Sequence, residues 1–280
     1  MAANPSIRVL NEKQTPSNKP APAPDISAKL RKSLLKLKGK YMSTDGKGVD
    51  YKSLKKSNEF AEYEKETGEL KSVELEKLTE LQRKVFFINV YNALTIHGLV
   101  EQPELPDSVL KVQHFFKTIA YDIGGFTFTL DDIEHGILRG NKSHPASIKP
   151  LLDANDPRLK FAMQSCDPRL HFALVCGAKG CPAISVYTED NLDKALNDAT
   201  RAFCQSEVSM HTEVDEIRMS RIFQWYRQDF GETDTDVIRW VMQYLSQDQQ
   251  DRASILLLKL EKFGQVSINY NEYDWSLNTS

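Results

Sequence analysis

The clearest pattern of apolar and polar positions lies between Leu78 and Val100. Leu81, Val85, Ile88, Asn92, Ile96 and Leu99 fall close to one line at about 100° per residue. Phe86, Val90, Ala93 and Val100 widen that stripe on one side, and Phe87, Tyr91 and Leu94 widen it on the other. A helix that is apolar nearly all round is buried, so this segment is predicted to be the central helix, ended by Gly98 or Pro103. Upstream, Leu30, Leu34 and Leu37 share one face of a basic helix capped by Asp25 or Ser27. Its Lys29, Arg31, Lys32, Lys36, Lys38 and Lys40 read as a solvated face on a docked helix, because Glu-rich sequence follows at once. Short helices are expected over 51–77, from Tyr51, Leu54, Phe60, Tyr63, Val73 and Leu75.

After this helix the period changes. Ile119–Ile123 and Phe126–Leu130 flank Gly124-Gly125, the pattern of a two-residue hairpin. Thr129 can cap a helix, LDDIEHGILR, with acids in its first turn and Arg139 in its last. Leu170–Val175 reads as a buried strand and Ala183–Tyr187 as another. An amphipathic helix starts at Thr188, and Val208–His211 with Val214–Met219 form a hairpin before a helix capped by Ser220. Further helices run from about Asp234 to Leu245 and from Asp251 to Phe263, and Val266–Tyr270 closes as a strand. A local echo, DPRLKFA from Asp156 and DPRLHFA from Asp167, suggests the same turn used twice. Helices and hairpins mix without βαβ alternation, so the expected class is α+β. A buried central helix packs on a small, mostly antiparallel sheet, with helical N-terminal and C-terminal parts.

Composition sharpens the boundaries. Residues 1–24 carry Pro5, Pro16, Pro20, Pro22 and Pro24 with few large apolar residues, and are expected to be a disordered arm. Residues 25–280 are expected to form one globular domain. A net charge of −3 gives no global attraction to nucleic acid or anionic membrane. No apolar run reaches the roughly 18 residues of a membrane span. With no export signal, Cys166, Cys176, Cys181 and Cys204 are expected to be reduced thiols in the cytoplasm. No cofactor is called for, and the expected partner is a small molecule or a protein.

Five segments in order carry a family resemblance: FFINVYNALTIHG (86–98), LDDIEHGILRGN (130–141), DPRLHFALVCGAKGCPAISVY (167–187), SRIFQWYRQDFG (220–231) and YDWSLN (273–278). Together they resemble the domain of unknown function numbered five-four-seven. That family is found alone, beside glutaredoxin domains, and in leucine-zipper plant proteins. Gly180 stands where relatives usually have serine, and the chain has no glutaredoxin C-x-x-C module. The resemblance also implies that Glu134, His135 and Arg139 matter, because plant relatives keep them.

The candidate chemistry centres on Cys176 and Cys181, which bracket a Gly-Ala-Lys-Gly turn. Glycines let the backbone approach a ligand, and Lys179 would favour a thiolate. The pair reads as a nucleophile, as a redox couple, or as two structural thiols. A zinc site with His135 or His171 is disfavoured because no second close ligand pair exists, so no metal is expected. His135 and Arg139 lie one helical turn apart, with Asp131 a turn before. Glu134 or Asp131 could orient His135 as a base, and Arg139 could clamp an anion. Asn89 and Asn92 must be hydrogen-bonded if buried, either to a loop or to a ligand. The activity expected is a Cys/His-dependent acyl transfer or hydrolysis by Cys176 or Cys181, His135 and Glu134. Arg139, Asn89, Asn92, His171 and Lys179 would hold the substrate. A non-catalytic interaction module and a thiol redox protein linked to glutaredoxin-type partners are the alternatives.

Overall fold

Helix α4 (Glu80–Val100) begins where the sequence places it. The Thr79 side chain accepts from the Gln82 N–H and the Gln82 side chain accepts from the Thr79 N–H, a reciprocal cap. From Val85 to Val100 every residue is buried. Leu81 lies on the apolar line yet is exposed, because it sits in the solvated first turn. Gly98 does not end the helix. A Cβ there would lie 2.7 Å from the Ile119 side chain and 3.1 Å from Phe115, so its role is close packing of the last turn.

A computed structural model describes residues 6–16 and 22–280, and it divides into two units. The first runs to Cys166 and takes in 174–192 and 275–280. Strand β1 (Arg8–Val9) precedes helices α1 (Ala23–Tyr41), α2 (Tyr51–Lys55) and α3 (Asn58–Glu66). Helix α1 buries Ile26, Leu30, Leu34 and Leu37, while Lys29, Lys36 and Lys40 meet Glu66, Glu62 and Glu59. Its charged face is thus paired and solvated, as its composition predicts. After α4, the short helix α5 (Phe115–Thr118) leads into β2 (Ile119–Ile123) and β3 (Phe126–Thr129), antiparallel across Gly124 and Gly125. Both glycines adopt positive φ, 60° and 81°, as a tight hairpin turn requires.

Part of the expected disordered arm is ordered. Arg8 and Val9 pair in parallel with Ile119 and Ala120. Asn11 is fully buried, donating to the Thr67 and Asp122 carbonyls and accepting from the Asp122 N–H at 2.8 Å. One amide with three backbone partners anchors this segment where apolar content could not. Residues 1–5 and 17–21 of that expectation lie outside the described residues.

Thr129 and Asp132 cap each other reciprocally, as expected for the start of the next helix. That helix is π-helical over Asp132–Leu138, with the Arg139 N–H reaching back to Glu134 O. Two expected strands are absent. At 170–175 the chain forms a short 3₁₀ turn over Pro168–Phe172, and 183–187 pairs with no strand. The DPRL echo accounts for the turn. Asp156 accepts from Arg158 N–H and its guanidinium, and Asp167 does the same with Arg169, so each copy folds on itself. Apolar sequence after a proline-led cap resembled a strand only in composition.

The second unit comprises 167–173 and 193–274. Helix α6 (Leu192–Glu207), the β4–β5 hairpin (Ser209–His211, Glu216–Ser220), α7 (Arg221–Trp225), α8 (Arg227–Phe230), α9 (Asp234–Met242) and α10 (Gln247–Phe263) lead to β6 (Ser267–Asn271), parallel to β5. Its core gathers Phe172, Phe203, Cys204, Phe223, Phe230 and Ile238. Each unit thus holds a three-stranded sheet with one antiparallel and one parallel pair, and the fold is α+β. Among the described residues no helix is long and apolar enough to cross a membrane.

Candidate functional site

Helix α4 presents three polar side chains over one turn, and each ties down a different segment. Asn89 brackets Tyr187, accepting from its N–H at 2.9 Å and donating to its carbonyl at 2.8 Å. Tyr91 donates its hydroxyl to Glu134 at 3.0 Å. Asn92 accepts from the Val175 N–H at 3.0 Å, next to Cys176. The asparagines expected in the helix therefore serve as loop ties, which removes the cost of burying their amides.

Glu134, His135 and Arg139 come together on the π-helical segment. The extra residue per turn brings the Arg139 guanidinium to 2.8 Å from His135 Nδ1, and it also donates to Ser143 O. Glu134 Oε1 lies 3.9 Å from the same nitrogen. All three are buried, and His144 packs edge-on against His135 with ring centres 4.8 Å apart. A guanidinium can only donate, so Nδ1 of His135 accepts and the neutral ring carries its proton on Nε2. In this state Nδ1 of His135 is occupied by the Arg139 guanidinium.

Asp131, His135 and His144 each bring one potential ligand atom within 4.8 Å of the others. Nδ1 of His144 accepts from the Ala146 N–H, so this ring too holds its proton on Nε2. A divalent ion bound here would have to displace the Nε2 proton of each ring. Asp131 is pushed up to about 7, first by burial and then by the nearby Glu134 charge. Burial also lowers the His144 value.

The cysteines form the second cluster. Cys176 Sγ and Cys181 Sγ stand 2.7 Å apart as free thiols, and Cys181 Sγ also accepts from the Cys176 N–H at 3.1 Å. Cys176 is half-buried and Cys181 buried. Gly177 holds φ at 83° and a Cβ there would collide with Leu99, so the turn needs glycine. The closing segment grips this turn from outside: Asn278 N–H bonds Gly177 O, and Lys179 N–H bonds Ser276 O. Leu277 is buried beside it, and Tyr51 donates its hydroxyl to Asn278 at 2.8 Å. Burial, then the charges of Cys181 and Cys176, holds the Tyr51 hydroxyl far above its usual range. The Lys179 side chain is exposed.

His171 is placed in the second unit, in the 3₁₀ turn and not on a strand. Its Nε2 pairs with Asp229 at 2.8 Å, and Tyr226 stacks on the ring at 3.9 Å. Sequence reading missed Tyr91, His144, Tyr51 and Asp229 as partners. Tyr91 sits on the flank of an apolar helix and His144 in a loop, where no spacing marks them. Tyr91 lies inside the FFINVYNALTIHG motif and Asp229 inside SRIFQWYRQDFG, the signals that could have found them.

An α+β unit whose central helix carries a thiol turn and a His–Arg cluster defines the class. Residues 75–204 match the family model described as a protein of unknown function, DUF547. The match takes in α4, Glu134, His135, Arg139 and both cysteines, and it is narrower than the five motifs: 220–231 and 273–278 lie beyond it. No curated protein and no solved structure matches the chain.

Proposed function

We propose that the protein is a thiol-dependent enzyme in which Cys176 and Cys181 work as a dithiol–disulfide couple. The 2.7 Å approach of the two free sulfurs carries this reading. Structural thiols pack as small apolar groups and have no reason to converge at a glycine-bound turn. The half-buried Cys176 is the attacking residue and the buried Cys181 resolves. The Cys176 thiolate attacks one sulfur of a substrate disulfide, forming a mixed disulfide and releasing the other substrate thiolate, which takes up a proton. Cys181 then attacks Cys176 Sγ as its thiolate, closing the protein disulfide and expelling the second substrate thiolate, which is protonated in turn. The substrate is reduced by two electrons and the protein oxidised by two. An external thiol of the glutathione or glutaredoxin class resets the pair, which fits the company kept by the family that the sequence resembles.

A second reading, acyl transfer or hydrolysis with Cys176 as nucleophile, is favoured by one observation. Neighbouring residues of α4, Tyr91 and Asn92, hold Glu134 and the backbone next to Cys176. His135 would then donate its Nε2 proton to the acyl oxygen, with Arg139 and Glu134 fixing the ring. The two readings part on Cys181. With the full chain, glutathione and 2-hydroxyethyl disulfide, the redox reading expects turnover that Cys176→Ser abolishes and Cys181→Ser stalls at a mixed disulfide. A stoichiometric burst from p-nitrophenyl acetate that survives Cys181→Ser supports acyl transfer instead. Slow alkylation of every cysteine at neutral pH, with neither activity, points to an interaction module.

A further inference from the structure

In the first unit a cleft of about 640 Å³ opens beside the π-helical segment, away from the cysteine turn. Its size falls within the range of small-molecule sites, about 300–1,000 Å³. Asp131 lines it at only 6% exposure, yet its carboxyl makes no hydrogen bond or ion pair among the described residues. Its neighbours explain part of this. Asp132 is taken by the Thr129 N–H and Arg158, and Arg158 is itself held by Asp156. Burial without a partner raises the Asp131 carboxyl above its usual range and leaves it facing the cleft, unlike the paired Asp132 and Asp156. The ammonium of Lys117 lines the same cleft, exposed and likewise without a hydrogen bond or ion pair. It lies near enough to act on Asp131 electrostatically, but the two make no salt bridge. Ile7, Phe126 and Leu151 supply apolar wall.

We propose that this cleft binds a small zwitterion, a free amino acid or a short peptide, with the ligand ammonium on Asp131 and its carboxylate on Lys117. The two unpartnered charges have opposite sign and stand on one cavity, so a ligand with both groups satisfies each. A simple anion would meet the acid, and a simple cation would meet the lysine. A metal ion is disfavoured because Nδ1 of both neighbouring imidazoles, His135 and His144, is already taken by a donor. The apolar wall suits an aliphatic or aromatic side chain.

The test is calorimetric titration of the full chain with leucyl-leucine, its N-acetyl derivative and its C-terminal amide. The expected result is saturable binding of the dipeptide, weakened at least tenfold by N-acetylation and severalfold by amidation. Asp131→Asn should weaken binding at least tenfold and remove the N-acetyl effect, and Lys117→Met should remove the amide effect. Melting curves of both variants establish that they fold, and Lys117→Met, at an exposed position, keeps the test open if Asp131→Asn does not. Absence of binding, or binding indifferent to N-acetylation and to Lys117, overturns the proposal. Tighter binding of zinc than of the dipeptide overturns it as well.

Discussion

Cys204 and the Cys176–Cys181 pair are the same side chain in opposite settings. Cys204 is fully buried in the core of the second unit, and burial alone pushes its thiol up to about 12. The pair sits on a turn held by hydrogen bonds from Asn92, Gly177, Lys179 and the closing segment, with sulfur facing sulfur. Cys204 is placed by an amphipathic helix and serves as an apolar filler. The pair is placed by backbone ties that leave its sulfurs the one variable part of a fixed frame. Under the proposed dithiol reading, reactivity is a property of what holds the backbone and not of cysteine content.

The comparison breaks most visibly if the frame is cut. Residues 275–280 make backbone bonds to Val49, Asp107, Gly177 and Lys179 and bury Leu277. Truncation after Asp274 is expected to cost roughly 3 kcal/mol or more in urea unfolding. It should also speed alkylation of Cys176 and Cys181 while Cys204 stays protected. Wild-type stability in the truncated chain would show that the segment merely rests on the turn.

The next effect tests Cys204 itself. Its folded value lies above that of an unfolded thiol, so the neutral form stabilises the native state below the unfolded value, near 9, and that stability is lost as pH rises toward 12. Between pH 9 and 10.5 the loss is about 2 kcal/mol. Cys204→Ala should be less stable at pH 8 yet show a shallower alkaline fall than the wild type. At pH 8 only about one Cys204 thiol in 10⁴ is ionised, so iodoacetamide should leave it unmodified in the folded protein. Parallel alkaline limbs for the two proteins would mean that Cys204 is not the group being titrated.

A smaller effect sets a control. Asn11→Ala removes three side chain–backbone hydrogen bonds that involve neither cysteine, and about 1–3 kcal/mol of stability should go with them. The thiol reactivities should not change. A rise in Cys176 alkylation would mean that general loosening exposes the pair, and the distinction drawn from the frame would weaken. The sequence reading of one domain from residue 25 onward predicts a single calorimetric transition in each of these proteins, and two separated transitions would oppose it.

How much of this was legible beforehand follows from the range of the forces involved. Helix α4, the Gly124-Gly125 hairpin and the Thr129 cap are local, and period and turn chemistry predicted them. The strand expected at 170–175 failed because the Asp167–Arg169 fork outweighs apolar composition in a segment that starts with proline. The partner of β1 lies more than 100 residues away, and a proline-rich arm gives no sign of one buried asparagine. At the site, the cysteines and Glu134-His135-Arg139 were visible as residue types. The i, i+4 spacing put Arg139 on the face of His135, whereas the π-helical form of the turn and the bond to His135 Nδ1 left no mark in the sequence. With that bond the role proposed for His135 changes from base to donor.

The most direct test of the account is a redox titration of the full chain in glutathione buffers, quenched with a mass-tagged alkylating agent and read residue by residue. The account predicts that Cys176 and Cys181 lose their thiols together in one two-electron transition, centred within the range of glutathione-coupled proteins, while Cys204 stays reduced throughout. Independent oxidation of Cys176 and Cys181, or a pair that remains dithiol under every oxidising buffer that leaves the protein folded, would contradict it.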